Sequence, residues 1–125
     1  ILNLCFIIAI MSSCTDYGEK VTRGKTEVFY TDGATEEEAE EGMDFLFRIG
    51  YFDEKQKSSA QLVKDGDTYL VKLVTKDEYI NKEEIFHHYE NMRDALENDV
   101  FGGAKVEVHL CDENLKSKRK FDGSD

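Results

Sequence analysis

Asp65-Gly66 lies between two alternating apolar runs, 59–64 and 68–75. A two-residue Asp-Gly break between such runs is the strongest short-range signal for an antiparallel hairpin. The centre of the chain is therefore committed to two adjacent strands, and the flanks must build on them. Upstream, residues 25–31 alternate, with Thr26, Val28 and Tyr30 on one face and Glu27 and Phe29 on the other, as a strand requires. Thr35 and Glu38 then have the spacing of a capping box, and the acidic run 36–41 falls at the positive end of the helix dipole. Ala39, Met43, Leu46 and Ile49 follow at helical spacing, and Gly50 is placed to end the helix in a left-handed conformation, with Tyr51 folding back on Leu46.

Downstream of the hairpin the pattern repeats. Residues 81–84 resemble a second helix start, and Ile85, Tyr89, Met92 and Leu96 form an apolar stripe that stops near Gly102-Gly103. Residues 105–111 alternate again with Val106, Val108 and Leu110 inward, and 115–121 predicts a short basic edge strand. The order β-α-β-β-α-β predicts an α+β fold of the ferredoxin-like type. That fold is a two-layer sandwich with an antiparallel sheet, two helices on one face and here an extra C-terminal strand.

Composition narrows the function. The chain has 125 residues, no proline and a formal net charge of −11, enough length for one domain. At this charge the long-range field repels a phosphate backbone, so nucleic acid is disfavoured as a partner and none is expected. The charge is also unevenly spread, because the first thirteen residues carry none of it.

Residues 1–11 (ILNLCFIIAIM) are apolar at ten of eleven positions, too short for a spanning helix but suited to the apolar centre of a signal peptide. Met11-Ser12-Ser13-Cys14 follows: an apolar residue, two small ones and a cysteine. This stretch resembles the lipobox of a bacterial lipoprotein precursor, with a methionine where leucine is commonest. The resemblance implies cleavage before Cys14 and acylation of its sulfur. It divides the chain into a signal at 1–13, a lipidated Cys14 with a polar tether over 14–25, a single domain at 26–121 and a tail at 122–125. A coiled tether of this length spans roughly 18 Å. Cys5 would leave with the signal, and Cys111 would remain as a lone thiol, so no internal disulfide framework forms. Residues 28–39 (VFYTDGATEEEA), 61–74 (QLVKDGDTYLVKLV) and 101–112 (FGGAKVEVHLCD) are similar to uncharacterised small domains of bacterial envelope proteins, a likeness that implies no activity and no site residue.

The candidate chemistry is sparse. Glu83 with His87, and Glu84 with His88, stand four apart on a helix and could each offer two metal ligands, but no third ligand has supporting spacing. His109 and Cys111 project from one strand face, where a Cys–His nucleophile is conceivable. At two residues' separation the side chains start nearly 7 Å apart, too far for the activating hydrogen bond. No Gly-rich phosphate loop or nucleophile elbow is present.

The face of the sheet away from the helices is more informative, because Phe29, Val63, Leu70 and Val74 make it unusually apolar and mark it as an interaction surface. It would receive a protein partner, a second copy or the returning C-terminal segment. The sequence therefore reads as a small acidic lipoprotein of the bacterial envelope, periplasmic or surface-exposed. It would be held to the membrane through Cys14 and act as a non-catalytic binding or assembly module without metal or cofactor. The competing readings are a metal handler or enzyme using His87, His88 or the His109/Cys111 face, and an inhibitor-like module resembling protease propeptides.

Overall fold

The computed structural model describes residues 17–31 and 33–124. The signal at 1–13, Cys14 and the residues up to Asp16 lie outside the described residues. Among the described residues six strands and three helices follow one another: β1 (Glu19–Arg23), β2 (Thr26–Tyr30), α1 (Glu36–Arg48), β3 (Ser58–Asp65), β4 (Thr68–Val74), α2 (Asp77–Ile80), α3 (Phe86–Ala95), β5 (Lys105–Cys111) and β6 (Ser117–Phe121). A 3₁₀ turn (Glu83–Ile85) leads into α3, and a π turn (Leu96–Val100) continues it.

The local expectations hold at several points. Thr35 Oγ1 accepts from the Glu38 amide at 3.1 Å and the Glu38 carboxylate accepts from the Thr35 amide at 3.0 Å, closing the capping box. Gly50 has φ +83°, and the Tyr51 and Phe52 amides both donate to the Leu46 carbonyl, which ends α1. Ile49 differs from its expected place in the buried stripe. It lies just past the last helical residue and is 46 % exposed, while Phe45 is buried in its stead. Gly66, at φ +64°, makes the β3–β4 turn.

The sheet is not the expected one. Its strands run in the order β1-β2-β3-β4-β5-β6, with β2–β3 and β4–β5 parallel and the other pairs antiparallel. This overturns the ferredoxin-like antiparallel sandwich, in which each crossover skips a position for another strand to fill. Here each helical crossover returns to the neighbouring position. The cause lies at the ends. Residues 19–23, expected as tether, form β1, which hairpins onto β2 through Gly24-Lys25 and takes one edge of it. Gly24, at φ +61°, supplies the positive φ such two-residue turns demand. A two-residue loop closes at little entropic cost, so β2 has only its other edge left, and β3 takes it. β6 does the same for β5 at the opposite side.

The helices cover one face. Val28, Ala60, Leu62, Val71, Leu73, Val106, Val108 and Leu110 meet Ala39, Met43 and Leu46 of α1, Ile80 of α2, and Tyr89, Met92 and Leu96 further on. One small void of about 20 Å³ remains between α1 and the sheet, beside Gly42, Met43, Leu96 and Phe101. A Cβ at Gly42 would meet only Phe101, at 4.0 Å. Gly42→Ala is therefore expected to stabilise the domain by about 0.5–1 kcal/mol through helix propensity, read as a raised midpoint in urea. A lowered midpoint would show that the space is not free.

Candidate interaction face

The second face of the sheet is set by the alternation of each strand. One cross-strand row runs Lys20, Phe29, Gln61, Lys72, His109 and Lys120. Val63 and Leu70 are opposite one another in the next row, and Val74 is beside Cys111 on the other flank. Phe29, Val63, Leu70 and Val74 are all half-buried, and none belongs to the core cluster that the helices complete. Among the described residues the C-terminal segment does not return across this face. It extends the sheet as β6 instead.

What does reach the face is the start of the described chain. The Tyr17 ring packs edge-on against Phe29 with centroids 5.4 Å apart, and the Tyr17 carbonyl accepts from Gln61 Nε2 at 2.9 Å. Gly18, at φ +102°, lies so close to Tyr30 that a Cβ would collide with the Tyr30 carbonyl. Glycine at 18 thus lets the chain leave β1 and fold over the outer side of β2 and β3. Sequence reasoning missed Gln61, which looks like any polar outer-face residue until the chain that crosses it is known.

On the C-terminal side of the face, His109 is 9 % exposed and both ring nitrogens are used. Ser117 Oγ is 2.8 Å from Nδ1 and Glu107 Oε1 is 2.9 Å from Nε2. A neutral ring satisfies both, accepting from the serine and donating to the carboxylate. Ser117 was not legible as a partner, because the β5–β6 register shifts between Leu110 and Cys111. The arrangement pins the edge strand β6 to β5. Ser117→Ala is expected to cost about 1 kcal/mol, visible as a lower melting temperature, since one partner of a part-buried hydrogen bond is lost.

The remaining candidates are dispersed. Cys111 is buried, and its Sγ donates to the His109 carbonyl at 3.7 Å, so thiol and imidazole do not meet. Burial pushes the thiol pKa up against the opposing pull of Lys72, the reverse of what a nucleophile needs. His87 and His88 are exposed on α3, their rings against Phe86 and Tyr89 respectively. Among the described residues no group of three or more His, Cys, Asp or Glu is placed to hold a metal ion. An open cleft of about 670 Å³ at the sheet end mixes acids and bases, among them Glu27, Lys57, Asp77 and Asp112.

The β5–β6 end of the face is held by carboxylates kept ionised. The Lys116 and Asn114 amides lower the pKa of Asp112. The hydroxyl and amide of Ser124, with Lys120 nearby, hold Asp122 down to about 2. Both pKa values lie below the unfolded value, so their contribution to stability is present above the ordinary aspartate range. For Asp122 it is lost as pH falls through about 2.

Among the described residues no helix is long and apolar enough to cross a membrane. A family model, the AF_1994_N family N-terminal domain, matches residues 20–123, which takes in all six strands except the first residue of β1. No curated protein and no solved structure matches the chain.

Proposed function

This chain belongs to the AF_1994_N family; from its own residues we propose that it is a small acidic lipoprotein of the bacterial envelope whose domain works by binding rather than by catalysis. The anchor is Cys14, and the binding surface is the outer sheet face. The observation that supports this most is the character of that face: Phe29, Val63, Leu70 and Val74 stand half-buried outside the core, on strands whose opposite side is already packed by helices. Apolar residues grouped on one face mark interaction surfaces more often than a solvated sheet does. The resemblance of Met11-Ser12-Ser13-Cys14 to a lipobox supplies the compartment.

Intact mass spectrometry of the full chain expressed in a bacterial host tests the anchor. A mature protein beginning at Cys14 with added acyl mass is the expected result, and an unmodified Cys14 behind intact residues 1–13 overturns it. Acidic variants test the face: Phe29→Asp and Leu70→Asp should abolish capture of any envelope partner while leaving the melting curve cooperative.

A second reading rests on the Glu107–His109–Ser117 chain, which has the residue types of a hydrolase triad. A serine nucleophile also needs donors aimed at a developing oxyanion. Ser117 is on an exposed edge strand, and its neighbours Lys116 and Lys118 are exposed. Ester hydrolysis that disappears in Ser117→Ala would favour this reading over the binding module.

A further inference from the structure

We propose that the outer sheet face of the anchored protein lies against the anionic lipid headgroups of the membrane that holds Cys14, with the acidic helical layer turned away. The proposal rests on the lipid-anchor reading and names the partner of the same face.

The first support is covalent reach. Tyr17 is seated on the outer face against Phe29 and Gln61. Cys14 is three residues before it in the chain, a span of at most about 11 Å even when fully extended. Acyl chains on Cys14 would therefore enter the bilayer beside this face. From the helical side the same three residues would have to pass around the β1 edge.

Charge gives the second support. The outer face carries Lys20, Lys72, Lys105 and Lys120 against Glu27, Glu107, Asp122 and Asp65, so it is formally balanced, while the chain as a whole carries −11. Glu27 is already paired with Lys20 at 3.1 Å and Asp122 with Lys120 at 3.6 Å, and Glu107 accepts a hydrogen bond from the His109 ring. The helical side carries the exposed carboxylates of Glu36, Glu37, Glu40, Glu41 and Asp44 on α1 alone. At physiological ionic strength charges interact over roughly 8 Å, so only the surface nearest the headgroups matters. An anionic bilayer repels the α1 side and tolerates the balanced face, where Lys72 meets phosphate and Leu70 and Val63 meet the headgroup boundary.

The full chain, with acylation verified by intact mass, is reconstituted in vesicles of phosphatidylcholine and phosphatidylglycerol with brominated acyl chains. A fluorophore is placed at Leu70→Cys or Lys120→Cys on the outer face, or at Glu37→Cys on α1, and Cys111 is buried away from label. Quenching several-fold stronger at 70 and 120 than at 37, reduced by Lys72→Glu, is the expected result. The exposed position 120 keeps the test valid if Leu70→Cys fails to fold. Equal quenching at the three positions, or stronger quenching at 37, overturns the orientation while leaving the anchor intact. Quenching at none of them, with a dimer in sedimentation, also overturns it and assigns the face to a second copy. A protein without acyl mass overturns the anchor, and this proposal with it.

Discussion

Phe121→Ala is expected to destabilise the domain by about 3–5 kcal/mol, the cost of truncating a fully buried aromatic ring. Phe121 is 2 % exposed and closes the last strand onto the helical layer. Its ring stacks on Tyr89 with centroids 5.4 Å apart, touches Phe86 at 5.9 Å and lies under the Arg119 guanidinium at 4.9 Å. Arg119 in turn donates to the Ile80 and Lys82 carbonyls, tying β6 to the segment before α3. Loss of the ring leaves a cavity among groups that cannot collapse without moving that segment. For a domain of this size about 4–8 °C is lost per kcal/mol, so the melting temperature should fall by roughly 12 °C or more. A fall of only a few degrees by calorimetry would mean that β6 contributes little to the cooperative unit.

Cys14→Ser should have the largest effect of all, on location rather than stability. A single acyl chain binds a bilayer only marginally, with a constant on the order of 10⁴ M⁻¹, and a second chain makes the attachment durable. Serine at this position removes the thiol that would carry them. In detergent phase separation of cells expressing the full chain, the wild type should enter the detergent phase and the variant the aqueous one. Melting of the variant should be unchanged, since the family match begins at residue 20. Unaltered partitioning of Cys14→Ser would remove the lipid anchor from consideration.

What could be read from sequence was whatever short-range chemistry decides. The Thr35–Glu38 box and the Gly50 terminator rest on contacts between residues a few positions apart, and both stand as expected; the central hairpin also forms, but one residue later than expected, because Asp65 pairs with Thr68 and leaves Gly66-Asp67 as the two-residue loop. Strand order depends on which edges are free, and that turned on β1, whose residues 19–23 contain one buried apolar side chain, Val21. With so little alternation the segment resembles a tether. The remaining clue was glycine at the head of the two-residue turn Gly24-Lys25. The four apolar residues of the outer face were found through their strand parity, which survives any change of strand order. Gln61 and Ser117 were not found, because the partners that give them meaning are 44 and 8 residues away.

The edges of the sheet show how the fold guards itself. β6 presents Lys118 and Lys120, and β1 presents Lys20 and Glu19, all exposed, which discourages pairing with another sheet. Association between copies is thereby steered away from the edges.

The unbroken succession of strands, each lying beside its immediate predecessor, has a consequence for how the molecule comes into being. A chain emerging from a ribosome presents every strand after its neighbour has already appeared, so no segment must wait for a distant mate. Such topologies assemble quickly because few remote encounters are needed. The domain can thus be built progressively from its leading end, in the order in which synthesis delivers its strands.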